Sequence, residues 1–382
     1  SKLIKKLLIS LNKLLKFKFT SRNMFGSTGH TVAELDYFFK LVHKYKINKF
    51  RIIFLSNNNI MAAEAYKLFS KFFFFSIISD KIDYLLKKYI LDEPNNLGID
   101  FGLSSIKFGH EPGNYPIKFM FKKYNNYFKL NSNIQNFNPF KQIPFSKNLN
   151  SFLDKHIGNS KYIVVQIKDK PGNSTILKTD PNTYIKSIKF YQNQGFKVIF
   201  AGRREKIPKI FEELGVIDYG KFEKPTFQTD LNLISKSELV ISSASGFACI
   251  AQVYDIPCVY SNSWQIVLTP SSKYCVHLPY LFSSKEKQQL VPYKEIIDLY
   301  LTKYNQTFLG HEEYDVIQNS DVEILEASKE AITLKKNYTQ PSDIYLRFKN
   351  KYKTLPIKFC ETRISDYFIS KYPQLFWSSY SV

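Results

Sequence analysis

An α/β protein with two doubly wound units is the class indicated by three features of the sequence. Short apolar runs alternate with segments of helical periodicity, first over residues 16–91 and again from about residue 160. A stretch rich in Asn, Pro and Gly, residues 94–150, separates these two regions. The chain has 382 residues, more than one hydrophobic core usually organises. Together these features predict two Rossmann-like domains that face a central cleft.

The predicted domain boundaries follow the same changes in composition. A basic amphipathic helix covers residues 1–19, and the first α/β domain covers 20–145. The second α/β domain covers 146–320, and terminal helices occupy 321–382. We interpret 94–150 as an irregular end of the first domain followed by the interdomain connection.

In the first domain the pattern predicts a strand, a loop, a helix, a second strand and two further helices. "KFKFTS" alternates as a short strand, and Gly26 and Gly29 bracket the turn after it. Thr31 is expected to cap the next helix, with Glu34 as its capping-box partner. "KFRIIFLSNNN" is predicted as a strand, and "MAAEAYKLFSKFF" and "DKIDYLLKKYIL" as helices. The apolar "FSKFFFFSIIS" (69–79) is too short to span a bilayer and is expected to be buried.

The first 22 residues carry seven basic and no acidic side chains. Ile4 and five leucines recur at helical spacing, while most of the lysines fall on the opposite face. This pattern is typical of a helix on an anionic membrane, where each near-surface Lys contributes ~1 kcal/mol. It predicts a cytoplasmic protein held peripherally on the inner face of the cell membrane. The alternative is a terminal helix whose leucine face packs on the domain.

Three loops at the carboxyl ends of predicted strands in the second domain carry groups suited to phosphate. The loops follow "YIVVQI", "KVIFAG" and "LVI". Two of them offer cations, and the third leads into a helix N-terminus whose N–H groups favour an anion. An ordinary strand–turn–helix connection, kept small for packing, is the alternative for the third loop. The candidate phosphate-binding residues are Lys168, Asp169, Arg203, Ser242, Ser243, Ser245 and Gly246.

The formal net charge of +21 fits nucleic acid, an anionic membrane or phosphorylated substrates. No helix-turn-helix or RNA-binding motif is present, so no nucleic-acid partner is expected. The sequence lacks G-x-x-x-x-G-K-[ST] and G-x-G-x-x-G, which argues against a P-loop ATPase and against NAD binding. It has no D-x-D triad and its six histidines are scattered, so we expect neither a metal nor a cofactor. The four cysteines show no C-x-x-C spacing and are predicted to be buried, reduced thiols.

Several segments carry patterns that can be compared with a known family. "YIVVQIKD" is similar to a strand that ends in His-Val-Arg-Asp, with Gln166 and Lys168 in place of the His and Arg. "LKTDPNTYIKSI" is similar to an Arg-Asn-Ala-x-x-x-x-Tyr segment, and "GVIDYG" and "LVISSASGFACIAQVYDIPCVYSNSW" to Gly-Val-Ile-Asp-Tyr and Ser-Ser-Gly…Pro. "RISDYFISKYPQLF" (363–376) is similar to a closing Arg-Ile-x-x-x-Phe-x-x-x-x-Pro-x-Leu motif. From about Phe145 onward, the chain therefore resembles two-domain GT-B glycosyltransferases of a bacterial surface-polysaccharide family.

This resemblance implies a metal-independent glycosyltransferase that uses a nucleotide-sugar donor to build a bacterial surface glycan such as capsule or lipopolysaccharide. It implies that the segment from Ser242 to Gln252 holds the donor pyrophosphate, which adds Gln252 to the donor site. Heptosyltransferases of this fold place a His where this chain has Cys249. The acceptor would be lipid-linked or a saccharide, and the segment 363–376 would cross back to the first domain.

"GSTGHT" (26–31) is similar to the Gly-rich acceptor-side loop of lipid-linked N-acetylglucosaminyl transferases. His30 is the candidate general base, and a loop histidine with a structural hydrogen bond is the alternative. The acceptor-side loop residues are Gly26, Thr28 and Gly29, and the further candidates for the base are Glu34, His110 and Glu111.

Two other classes compete with a glycosyltransferase. A non-catalytic basic protein that binds a membrane or nucleic acid would account for the charge of +21. A Rossmann-type methyltransferase would account for the α/β pattern, but the Gly-x-Gly loop is missing.

Overall fold

The computed structural model describes two compact units. The first comprises Ser1–Pro144 with Thr226–Gln228, and the second Phe145–Pro225 with Thr229–Val382. The described residues are 6, 10, 18–22, 28–44, 51–56, 64–65, 67–70, 74–78, 117–134, 137–168, 178–202, 206–222, 225–263, 266–267, 269–302, 313–352 and 354–376. The predicted helix at 80–91 lies outside them, as does most of the predicted helix at 1–19. Lys6 and Ser10 are helical and exposed, whereas Lys18 and Phe19, at the predicted end of that helix, belong to the first strand.

The first unit contains a three-stranded parallel sheet. Its strands are β1 (Lys18–Arg22), β2 (Arg51–Ser56) and β3 (Phe74–Ile78), in the order β1–β2–β3. The strands predicted at "KFKFTS" and "KFRIIFLSNNN" are confirmed. The helix predicted over "MAAEAYKLFSKFF" was too long, because Phe69 and Ser70 form a turn ahead of β3. Phe69 is buried there, with its ring centroid 4.9 Å from that of Phe39 and 5.1 Å from that of Phe140.

Helix α1 (Thr28–Lys44) begins earlier than the sequence indicated. Thr31, the expected cap, lies inside the helix and is fully buried, and Gly29 is buried in the first turn. The face of α1 that carries Gly29 and Thr31 packs against the core of the first unit. This packing overrides the weak helix propensity of Thr and Gly.

Helix α2 (Ile117–Asn133) corrects the prediction of an irregular segment at 94–150. The helix is rich in Asn and Lys, so its apolar face was not recognised in the sequence. Tyr127, Phe128 and Leu130 of that face are buried. A buried polar cluster joins α2 to α1, since Tyr127 Oη donates to Asp36 Oδ2 at 2.7 Å and Lys40 bonds to both Asp36 and Asn131.

The second unit is built on a seven-stranded, wholly parallel sheet in the order β13–β9–β8–β7–β4–β5–β6. The strands are β4 (Tyr162–Gln166), β5 (Lys197–Phe200), β6 (Ile217–Asp218), β7 (Leu239–Ser243), β8 (Cys258–Ser263), β9 (Cys275–Pro279) and β13 (Arg363–Ile364). The helices from here to the C-terminus are α3 (Lys147–His156), α4 (Ile185–Asn193), α5 (Lys209–Glu213), α6 (Phe227–Ser235), α7 (Phe247–Tyr254), α8 (Tyr293–Thr302), α9 (Asp321–Lys336), α10 (Asp343–Lys351) and α11 (Asp366–Lys371). The alternation of strands and helices predicted from residue 160 onward is confirmed. Three further strands, β10 (Leu281–Ser284), β11 (Gln289–Leu290) and β12 (Tyr314–Ile317), form a small antiparallel sheet.

The C-terminal region packs within the second unit. Ser320 and Glu323 form a capping box at the start of α9. Glu323 is buried and accepts hydrogen bonds from Lys371 Nζ at 2.7 Å and Tyr372 Oη at 2.9 Å. Arg363, which opens the closing sequence motif, is 1% exposed and lies over the ring of Tyr338. These interactions show that residues of the closing motif pack within the second unit. The expected crossing of 363–376 to the first domain stays a prediction.

In the described part of the chain, no helix combines the length and the apolarity needed to cross a bilayer.

Candidate functional site

The strand order of the second unit creates a topological switch point between β4 and β7. From β4 the chain continues outward through β5 and β6, and it then returns to β7 and continues outward on the other side through β8 and β9. Val165 pairs with Ile241 and Gln166 with Ser242, so the carboxyl ends of β4 and β7 are adjacent. Ligands of open α/β sheets bind in the crevice at such a point. The predicted loops after β4 and β7 are thus immediate neighbours, and the loop after β5 follows the strand on the other side of β4.

Hydrogen bonds join the two loops at the switch point. The backbone N–H of Lys168 donates to Ser243 Oγ at 3.1 Å. Ser242 Oγ donates to Gln166 Oε1 at 3.2 Å and to the Ser243 carbonyl at 2.8 Å. Both serines are at most 1% exposed, whereas Lys168 is half-buried. The serine hydroxyls therefore hold the strand ends together, and a direct contact with a donor stays a prediction.

Helix α7 starts at this edge of the sheet. Gly246 is its N-cap residue, and no side chain caps the helix through that position. Ser245 Oγ accepts a long hydrogen bond, 3.4 Å, from Phe247 N. Residues 244–246 are half-buried. The first turn of α7 thus places backbone N–H groups and the positive end of the helix dipole at the switch point.

Gln252 occupies a different environment. It lies in the second turn of α7 and is 8% exposed. Its Oε1 accepts a hydrogen bond from Ser271 N at 2.8 Å. Gln252 thus has a partner in the loop before β9. It lies one turn beyond the first-turn N–H groups that would bind an anion.

A buried polar network supports the same edge of the sheet, and the sequence did not predict it. Ser261 Oγ donates to the Ser242 carbonyl at 3.2 Å and lies 2.7 Å from Tyr184 Oη. Asn262 and Asn319 exchange two hydrogen bonds, each from the backbone N–H of one to the side-chain oxygen of the other, at 2.7 and 2.8 Å. Burial raises the pKa of Tyr184 to about 12, which keeps the hydroxyl neutral. The polar run "SNS" at the end of the apolar strand β8 is the sequence feature that could have indicated this network.

The structure places Thr28, Gly29 and His30, which were predicted on a Gly-rich loop, in helix α1, and Glu34 lies in the same helix as predicted. Because α1 begins at Thr28, Gly29 and His30 lie in its first turn, and Glu34 follows His30 by one turn. The prediction that these residues form a Gly-rich loop is wrong for Thr28 and Gly29, since Gly29 packs as a buried helical residue. The side chains of His30 and Glu34 lie outside the described part of the structure. Also outside it are Gly26, His110, Glu111, Asp169 and Arg203.

The cysteines belong to the second unit. Cys258 and Cys275 are paired positions on β8 and β9, and both are 1% exposed free thiols. Burial raises the pKa of Cys258 well above its ordinary value. Cys249 is half-buried in the first turn of α7. Among the described residues, no three Cys, His, Asp or Glu side chains are placed to share a metal ion. The expectation of a metal-independent site stays a prediction.

No protein-family model matches the sequence, and no curated protein matches it. Solved structures do. A glycosyl transferase of family 9 from Veillonella parvula is 9% identical, with a TM-score of 0.50 over 83% of this chain and 97% of that one. The ADP-heptose lipopolysaccharide heptosyltransferase II of E. coli is 11% identical, with a TM-score of 0.45 over 83% and 99%. The dodecameric iron-containing heptosyltransferase TibC of E. coli is 13% identical, with a TM-score of 0.37, and the match spans only 58% of its length.

The Veillonella structure shows a shared fold. At 9% identity the likeness concerns architecture alone. The α/β, GT-B-like class predicted from the sequence is confirmed by this likeness and by the parallel sheet of the second unit.

Proposed function

We propose that this chain is a glycosyltransferase of the GT-B type that takes a sugar from a nucleotide-sugar donor. One observation carries the proposal: at the switch point between β4 and β7, the N-terminus of α7 and the half-buried Lys168 share one edge of the sheet. The fold shared with a family 9 glycosyl transferase supports the same class of reaction.

The arrangement suits a leaving group that is a nucleoside diphosphate. When the sugar departs, negative charge increases on the phosphate that it leaves. The first-turn N–H groups of α7 and the ammonium group of Lys168 would stabilise that charge electrostatically. Arg203, predicted at the end of the neighbouring strand β5, would add a second cation. Backbone donors and cations together would perform the task without a metal ion.

The acceptor hydroxyl needs a general base, for which we propose His30. His30 and Glu34 stand one turn apart on α1, so one face of that helix offers two groups able to accept a proton. The acceptor would be a saccharide or a lipid-linked sugar of a bacterial surface glycan such as capsule or lipopolysaccharide. The basic segment before β1 would bring the enzyme to the cytoplasmic face of the membrane that holds such an acceptor, and the exposed Lys6 supports this role.

A ligand panel tests the proposal. Thermal unfolding of the full chain is followed with UDP-, GDP-, CMP- and ADP-sugars, and with the nucleotides alone. One donor class should raise the midpoint, and Lys168→Ala should reduce that shift. Transfer from the same donor should continue at an unchanged rate in EDTA. If no nucleotide-sugar is bound at millimolar concentration, the proposal fails.

The net charge of +21 favours a second candidate, a non-catalytic protein that binds a membrane or nucleic acid. This candidate predicts salt-sensitive binding to anionic vesicles or to oligonucleotides and no stabilisation by any nucleotide-sugar. The same panel therefore separates the two.

A further inference from the structure

A groove of about 640 Å³ runs along the outer edge of the sheet in the second unit. It lies between helix α3 and the segment from β6 to the turn after it. Phe152, Lys155 and His156 line it from α3, and Asp218, Lys221 and Phe222 from the other side. Since β6 is the last strand of the sheet, strand β5 separates the groove from β4 and the switch point. The motif "GVIDYG" contributes to the groove, and the proposed transfer reaction assigns no role to it.

Aromatic rings from both sides of the groove pack on one another and together form an aromatic wall. The ring centroids of Phe152 and Phe222 are 5.5 Å apart, and Phe152 lies 4.6 Å from His156. Tyr219 stacks on Phe222 at 5.6 Å and fixes its orientation from behind. Phe152 is half-buried, so part of its surface borders the groove. An aromatic surface of this kind suits the apolar C–H face of a sugar ring.

A fixed carboxylate lies beside this wall. Asp218 Oδ1 accepts a hydrogen bond from Gly220 N at 2.7 Å. A Cβ atom on residue 220 would stand 2.9 Å from that oxygen, so a larger residue there would have to displace the Asp218 carboxylate. The remaining acceptor sites of Asp218 can receive hydroxyl donors, and the amide of Asn148 across the groove can both donate and accept.

The groove also carries an excess of positive charge. Lys155 and Lys221 are exposed on opposite sides of it, and Asp218 is the one carboxylate among its lining residues. Among the residues that the structure describes, Lys221 pairs with Glu212 at 3.8 Å, and its side chain is 73% exposed. Lys155 forms no ion pair with any residue that the structure describes. Two ammonium groups are therefore available to an anion.

We propose that this groove binds an acidic oligosaccharide. The aromatic wall would pack on sugar rings, Asp218 and Asn148 would bond to hydroxyl groups, and the two lysines would pair with carboxylates. The site is separate from the switch point and does not depend on the proposed transfer reaction.

Titration of the full chain with tetragalacturonate, followed by calorimetry, tests this site. We expect saturable binding that weakens with salt, and a much weaker interaction with neutral maltotetraose. The double variant Lys155→Gln, Lys221→Gln should raise Kd at least fivefold. Asp218→Asn should also weaken binding, because an amide accepts fewer hydrogen bonds than a carboxylate. The control is Lys209→Gln, which removes a lysine that is 89% exposed and lies outside the groove, and which should leave Kd unchanged.

Three results would overturn the inference: no binding of tetragalacturonate at millimolar concentration, an unchanged Kd in the double variant, or a single-stranded oligonucleotide that binds more tightly through the same two lysines. Thermal unfolding of each variant verifies that it is folded. Stabilisation by a nucleotide-sugar, measured on the same double variant, should equal that of the native protein. Failure of the groove and failure of the transferase proposal are thereby distinguishable.

Discussion

The backbone N–H of Lys168 donates to Ser243 Oγ at 3.1 Å, and this hydrogen bond joins the exits of β4 and β7. Ser243→Ala removes the acceptor and should lower the free energy of unfolding by about 1 kcal/mol. Because the Lys168 loop loses its anchor, KM for the donor should rise severalfold while kcat changes less. Ser370→Ala, which removes an exposed hydroxyl at 2.8 Å from the Asp366 carbonyl, is the control. An unchanged donor KM would show that the bond does not position the loop.

Removal of a cation from the switch point should slow the transfer itself. Lys168→Ala and Arg203→Ala are each expected to reduce kcat by ~10²–10³, because each removes a charge that stabilises the departing phosphate. Single-turnover rates with saturating donor measure this effect. Lys209→Ala, whose side chain is 89% exposed, should leave the rate unchanged. If both variants turned over at the native rate, the assignment of the phosphate site would be wrong.

The assignment of the general base is tested through the pH dependence of the rate. His30→Asn should lower kcat by ~10²–10⁴ and abolish the acidic limb of the pH–rate profile. Glu34→Gln is the matched variant one turn along α1. Full activity of His30→Asn across the pH range would transfer the role to Glu34, His110 or Glu111.

Residues 1–16 should govern membrane attachment. A chain that starts at Phe17 is expected to remain folded, to lose binding to anionic vesicles and to retain activity on a soluble acceptor analogue. Binding of the full chain should weaken as salt increases, because the lysines contribute through screened charges. Equal binding of both chains in low salt would refute the membrane role. An unfolded shorter chain would support the packing alternative.

Buried His277 and half-buried Glu330 make opposite contributions to stability as the pH changes. Burial lowers the pKa of His277 to about 3, so its contribution is present above its ordinary value of 6.5 and is lost as the pH falls towards 3. Burial, together with the nearby Asp366, raises the pKa of Glu330 to about 7, so its contribution is present below 4.5 and is lost as the pH rises through 7.

Denaturant unfolding of Glu330→Gln should therefore show a stability gain over the native protein that grows between pH 4.5 and 7 and is then constant. The slope should not exceed about 1.4 kcal/mol per pH unit, the value for one proton. The amide can keep the hydrogen bond that Glu330 Oε2 accepts from Asp366 N at 3.0 Å. The difference in stability between His277→Gln and the native protein should depend on pH only below pH 6.5. A difference between Glu330→Gln and the native protein that is independent of pH would contradict the assignment.

Local patterns predicted the strands that begin with an unbroken apolar run. β4, β7 and β8 are parallel strands covered on both faces, so they appear in the sequence as short apolar runs bounded by polar turns. The turn was predicted over Ser242 to Gly246, but the structure turns the chain only at 244–246. Ser242 and Ser243 still belong to β7, because they pair with Gln166 of β4 and Ser261 of β8. The switch point is the consequence of strand order, which follows from alternating strands and helices in such folds.

The sequence patterns failed to predict local structure where packing against an element distant in sequence determined it. Helix α2 has an Asn- and Lys-rich composition, and only its packing through Tyr127 and Phe128 makes it a stable helix. Thr31 resembles a cap, but the core encloses it inside α1.

The sequence by itself indicated the α/β class and predicted three loops with groups suited to phosphate, because hydrophobic periodicity and turn composition are local properties of the chain. Only the tertiary structure decided which partners the polar side chains take. Ser243 lies beside Lys168, 75 residues away in sequence, and Gln252 accepts a hydrogen bond from Ser271. Buried polar groups must find hydrogen-bond partners, and strand pairing across the sheet determines which partners are within reach.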